Sequence, residues 1–158
     1  MATFSLKRIL FPTDFSDTAA CSLDYASGLA SRFGARLHLL HVVPDPMSQD
    51  WAGEAGGISF PDLRETWIAE AERRLGELSL SGVETQRATR VGHAFVEIVR
   101  YARENDIDLI VMGTHGRGAV SHMLLGSVAE KVVRKAPCPV LTVRKPGHTF
   151  VMPTMPVM

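Results

Sequence analysis

Two stretches carry residue types whose spacing could do chemistry. The first runs Gly113-Thr-His-Gly-Arg-Gly-Ala-Val-Ser-His-Met-Leu-Leu-Gly-Ser127, directly after the apolar run Leu109 to Met112 and before a helical pattern starting at Val128. Glycines at 113, 116 and 118 permit positive φ and let successive backbone N–H groups converge on a ligand with no Cβ in the way, a concavity suited to an anion. Gly126-Ser127 then opens a helix, whose unpaired N–H groups and positive dipole end favour phosphate by roughly 0.3–1 kcal/mol. Ser127 with Glu130 also fits a capping box, and the two readings are compatible. No Gly-Lys-Ser/Thr follows, so this is not a P-loop, and the glycines do not fall in the order of a dinucleotide fingerprint.

The second stretch, Ile9-Leu10-Phe11-Pro12-Thr13-Asp14-Phe15-Ser16, leads a short apolar run into a carboxylate. Asp14 suits a ribose hydroxyl or a base amino group, because a carboxylate accepts hydrogen bonds and repels phosphate. The alternative is a helix N-terminal charge beside Ser16. Between Gly113 and Ser127 there is no Asp or Glu, so the metal-holding carboxylates and positioned base that phosphoryl transfer needs are missing there, and slow or absent turnover is expected. His38 and His41 sit in a strand without neighbouring acids and read as structural.

Composition narrows the classes. Seventeen basic and seventeen acidic residues balance in a chain of 158, leaving no field to hold nucleic acid or an anionic membrane. Cys21 and Cys138 form no C-x-x-C pair, which argues against a disulfide framework or zinc site and fits a reducing cytoplasm. The start lacks the apolar region of a signal peptide, and no run approaches the ~20 apolar residues of a membrane span.

The elements that must position these residues alternate. Ile9 to Phe11 is a strand buried on both faces, ended by Pro12. A helix capped by Ser16 carries Ala19, Leu23, Ala26, Ala30 and Phe33 on one face and stops at Gly34. Arg36 to Val43 is the second strand, closed by Pro44 and Pro46. The loop up to about Phe60 is expected to be poorly ordered. A second helix follows Pro61-Asp62 with Leu63, Trp67, Ala71, Leu75 and Leu78 as its stripe. The third strand, about Val83 to Arg90, is polar and belongs at an edge. Ala94 to Glu104 is a helix with Phe95, Ile98, Val99 and Ala102 inward. Leu109 to Met112 is the fourth strand, Val128 to Lys135 the fourth helix and Val140 to Val143 the fifth strand. Residues 1–146 read as one domain and 147–158 as a flexible tail.

Strands alternating with helices give an α/β fold: a five-stranded parallel sheet with helices on both faces. With the polar third strand at an edge and the apolar first and fourth in the middle, the order is 3-2-1-4-5. The chain reverses direction between strands one and four, and ligands of open α/β sheets sit in the crevice at that switch point. Asp14 and Gly113, 99 positions apart, therefore meet at one site.

The pattern Gly113-x-x-Gly116, nine residues, Gly126-Ser127 resembles the nucleotide-binding signature of the universal stress protein family. Ile9 to Ser16 is similar to that family's first strand and turn, Leu40-His41-Val42 to its second strand end, and Cys138 to Val143 to its last strand. The resemblance spans roughly residues 5 to 145 and implies a Rossmann-like adenine-nucleotide-binding fold. It implies that Pro12, Thr13 and Asp14 line the adenine and ribose pocket with Val42 closing on the base, and that Gly113, Gly116, Gly126, Ser127 and Val128 hold the phosphates. Met112 packs beside the nucleoside or, equally, in the core. Arg117 and His115 could contact terminal phosphates, and both also read as solvated loop residues. The implied cofactor is ATP, with accompaniment by Mg²⁺ left open. Family members pair the last strand across a two-fold axis, so a homodimer through Val140 to Val143 is expected. The resulting expectation is a cytoplasmic, ATP-binding, dimeric regulator of the stress response acting on a protein partner. A slow ATPase and a nucleotide-independent scaffold are the alternatives.

Overall fold

The structure is a computed structural model that describes residues 4–46, 60–114 and 125–146. The expected irregular loop before Phe60, the central part of the glycine loop and the tail 147–158 lie outside the described residues. The elements follow in the order β1 (Arg8–Pro12), α1 (Asp17–Phe33), β2 (Arg36–Val43), α2 (Phe60–Glu77), β3 (Thr85–Val91), α3 (Ala94–Glu104), β4 (Leu109–Gly113), α4 (Ser127–Lys135) and β5 (Val140–Val143). All neighbouring strands are parallel, and the sheet order is β3-β2-β1-β4-β5. The expected topology is the observed one.

Local chemistry explains the element ends. The Ser16 hydroxyl accepts the Ala19 N–H at 3.3 Å, and Gly34 leaves α1 at φ 63°, donating its N–H to Ala30. That left-handed exit favours glycine. At the opposite end of the sheet, one oxygen of Asp108 accepts the N–H groups of Lys7 and Arg8, each at 2.8 Å, and so ties the start of β1 to the start of β4.

The polar third strand is at the edge, and its charges are employed. Arg87 donates to the carbonyls of Leu75 and Leu78 at 2.8 and 2.6 Å, closing the C-terminus of α2, where unpaired carbonyls and the negative dipole end favour a cation. Arg90 pairs with Glu104 at 2.8 Å and lies over the Tyr101 ring.

The core has two layers, one on each face of the sheet. Ile9, Phe11, Leu37, Leu39 and Val111 face α1 and α2, where they meet Ala26, Ala30 and Leu75. Leu10, Leu40, Ile110 and Met112 face α3 and α4, where they meet Ile98, Ala102, Ala129 and Val132. Helix α3 also buries Glu97 and Tyr101, two residues outside the stripe expected from apolar spacing.

Candidate functional site

Strands β1 and β4 are neighbours, and helices leave them toward opposite faces of the sheet. Their carboxyl ends therefore bring Thr13 and Asp14 beside Gly113 and Thr114. The Thr13 N–H donates to Leu40 at 2.8 Å, continuing the ladder one residue beyond β1, and Thr13 is buried. Its hydroxyl accepts the Phe15 N–H, and Asp14 Oδ1 accepts the Ser16 N–H, each at 2.9 Å. This is an Asx turn, so the helix-terminal role weighed for Asp14 is in place.

On the other side, the Thr114 N–H donates to Val143 at 3.0 Å, and the Gly126 N–H donates to Thr114 at 2.6 Å. The second bond returns the chain to the end of β4 and sets the N-terminus of α4 there. Gly126 is the N-cap, with φ −67° and ψ 156°, and no side chain caps the helix. The capping box is not formed: Ser127 is the first helical residue, and Glu130 pairs instead with Arg134 at 3.1 Å. Among the described residues no side chain caps the first turn of α4, the arrangement a phosphate requires.

Gly113 differs from expectation. It has no positive φ, and a Cβ there would meet Thr18 Cγ2 at 2.9 Å and Ser22 Oγ at 3.3 Å. Its lack of a side chain admits α1 against β4, and no ligand is needed to explain it. Met112 is a core residue, 6% exposed, with Val42 and Val128 partly buried around the same cluster. These three form an apolar wall beside the switch point. His115, Gly116 and Arg117 lie outside the described residues, whereas Pro12, Thr13, Asp14, Val42, Met112, Gly113, Gly126, Ser127 and Val128 all lie at the carboxyl ends of β1, β2 and β4 or at the start of α4.

Other reactive groups do not converge on this site. Burial, reinforced by the Asp108 charge, pushes the Cys138 thiol up to about 11, which keeps it protonated and unreactive at neutral pH. His38 Nδ1 lies 2.9 Å from the Tyr101 hydroxyl, and both side chains are buried. Burial, with the Arg36 and Arg8 charges, holds His38 below its ordinary range. Among the described residues no group of three or more His, Cys, Asp or Glu side chains could hold a metal ion, and no helix is long and apolar enough to cross a membrane.

Phe15 escaped the sequence reading. It adopts φ 62°, an uncommon state for a bulky residue. Its ring stacks on His41 at 4.6 Å and lies 4.2 Å beneath the Arg74 guanidinium. His41 Nδ1 in turn lies 2.7 Å from the Thr13 carbonyl. The available signal was the Thr-Asp-Phe-Ser turn itself, in which two side chains compete for backbone donors.

Known proteins share this fold. A model of the universal stress protein family matches residues 5–144. A universal stress protein of Methanocaldococcus jannaschii is 34% identical over 141 residues, covering 89% of this chain and 83% of that protein. The solved UspA structure from Lactobacillus plantarum superposes with a TM-score of 0.77 at 28% identity, over 90% of this chain and 100% of that one. An Archaeoglobus fulgidus universal stress protein solved in complex with dAMP shares the fold, with a TM-score of 0.54 and 24% identity over 89% of this chain and 98% of that one. The family match over residues 5–144, the 34% identical relative and the shared fold agree: this protein belongs to the universal stress protein family.

Proposed function

We propose that the chain binds ATP at the carboxyl ends of β1 and β4 and acts as a dimeric, nucleotide-dependent regulator in the cytoplasmic stress response. The observation carrying this reading is the 2.6 Å bond from Gly126 to Thr114, which sets the uncapped N-terminus of α4 at the sheet's switch point. In the proposal, phosphate oxygens accept the N–H groups of Ser127 and Val128 together with those of Gly113 and Gly116, Gly126 borders the cradle without a side chain in the way, and His115 and Arg117 neutralise the outer phosphates. Pro12, Thr13 and Asp14 take the ribose and base, and Val42 and Met112 supply the apolar wall. A neighbour with this fold was solved in complex with dAMP, which supports an adenine nucleotide as the class of ligand.

Asp14 is the sole acidic residue in this proposed set, and its Oδ1 is engaged with Ser16. Among the described residues no carboxylate cluster could hold a metal ion, and the proposal is that the site holds nucleotide rather than turning it over. Two free cysteines fit a cytoplasmic setting. Dimerisation is proposed at β5, the sheet edge, where Leu141 and nearby Val133 are exposed. The test is incubation with ATP, AMP and GTP in turn, followed by separation of bound nucleotide and its chromatographic identification. The proposal expects ATP to be retained and recovered intact. Equal retention of GTP, or recovery of ADP well above background, would overturn it.

A further inference from the structure

A cleft of about 240 Å³ opens on the α1/α2 face of the sheet, lined by Phe15, His41, Val43, Pro44, Trp67, Glu70, Ala71 and Arg74. It is separate from the nucleotide site proposed above. Phe15 packs against the cluster on the α1/α2 side of the sheet, Ala71 lies on α2, and Val43 alternates with Val42 along β2, whereas Val42, Met112 and Val128 belong to the α3/α4 side. Nothing in the nucleotide reading uses this cleft.

Its chemistry is specific. Three rings border it, those of Phe15, His41 and Trp67, the first two stacked at 4.6 Å. Its two charged residues are unequal. Arg73 clamps Glu70 through both carboxylate oxygens, at 2.8 and 2.9 Å, and that bond, with the Arg73 and Arg74 charges, holds the Glu70 carboxyl below its ordinary range. Glu70 is thus charged but already paired. Arg74 is half-buried and rests on Phe15 with its guanidinium 4.2 Å from the ring centre, and it makes no hydrogen bond or ion pair among the described residues. A guanidinium stacked on a ring keeps its in-plane N–H groups directed outward, in the fork that fits a carboxylate. The strained φ of Phe15 is what places the ring beneath it.

We infer that this cleft is a second ligand site, taking a small planar aromatic carboxylate whose ring lies among Phe15, His41 and Trp67 and whose carboxylate pairs with Arg74. The volume admits one ring or two fused rings and is below the 300–1,000 Å³ of drug-sized pockets. An aromatic cation is disfavoured by Arg74, and a neutral arene leaves the guanidinium without an acceptor.

The probe is 1-naphthoate, measured by equilibrium dialysis against its neutral counterpart 1-naphthamide. Wild type is expected to bind the acid saturably and about tenfold more tightly than the amide, the difference a charge-assisted bidentate bond supplies. Arg74→Gln removes that preference, while Trp67→Ala weakens acid and amide together. Saturating ATP and the substitution Gly126→Val leave naphthoate binding unchanged, so failure of the nucleotide reading and failure of this one are distinguishable. No saturable binding, equal affinity for acid and amide, a preference that survives Arg74→Gln, or displacement by ATP would each overturn the inference. The wild-type comparison of acid with amide decides the matter even if a variant fails to fold.

Discussion

At the scale of single residues, the site depends on contacts with distant partners. Gly113 looks in sequence like a ligand-facing glycine, and in the fold it is also the point where α1 touches β4. A methyl group there would stand 2.9 Å from Thr18, closer than packed atoms tolerate. Gly113→Ala is therefore expected to lower stability by about 1–3 kcal/mol, read as an earlier urea midpoint with an unchanged slope. An unchanged midpoint would contradict this packing role. The His38–Tyr101 pair makes a second prediction. His38 Nε2 is buried without a hydrogen-bond partner, and the ring is kept neutral because burial penalises the imidazolium. The folded pKa lies below the ordinary 6.5, so the unfolded chain binds the proton more readily. The contribution of His38 to stability is then full above pH 6.5 and is lost as pH falls below it. Chemical denaturation at pH 7.5 and 5.5 should show a smaller loss for His38→Leu than for wild type; equal losses would show that His38 titrates normally. Neither role could be read locally. Histidine in a strand indicates a structural residue, but Tyr101, its partner, is 63 positions away.

At the scale of elements, much was legible because periodicity and caps act over short distances. Ser16 and Gly34 bound α1 as their chemistry requires, and the polar β3 lies at the edge. Boundaries moved by a residue or two where tertiary contacts extend a strand, as Val91 does for β3. Tyr101 and Glu97 were missed on α3 because apolar spacing does not reveal a buried polar group with a partner. The Ser127–Glu130 capping box was a fair local expectation, yet the return of the loop to Thr114 makes Gly126 the N-cap instead. That gives a prediction for α4. Proline fits the first helical position, and the extended ψ of Gly126 suits a following proline. Ser127→Pro should therefore change stability by less than about 0.5 kcal/mol, while deleting one cradle N–H. ATP affinity should fall about tenfold relative to Ser127→Ala. Equal affinities in the two variants would place the phosphates elsewhere.

At the scale of the whole molecule, the sheet has two unlike edges. The β3 edge carries charged side chains that blunt further pairing. The β5 edge carries Leu141, 37% exposed, next to half-buried Val140 and Thr142, and suits pairing across a two-fold axis. Leu141→Lys is expected to yield a monomer by light scattering at micromolar concentration, with little change in melting temperature because the residue is partly exposed within the protomer. A dimer of unchanged affinity would put the interface on another face. Formal neutrality is consistent with this arrangement, since a chain with little net charge gains from covering its apolar edge.

The central claim is that the switch point holds ATP through the start of α4, and calorimetric titration of ATP into wild type and Gly126→Val tests it most directly. Valine adopts the observed Gly126 backbone angles without strain, so the fold should persist while its side chain fills the cradle. Saturable, exothermic binding to wild type that is lost in Gly126→Val is the predicted result. Absence of binding to wild type, or equal binding to a folded Gly126→Val, would contradict the account.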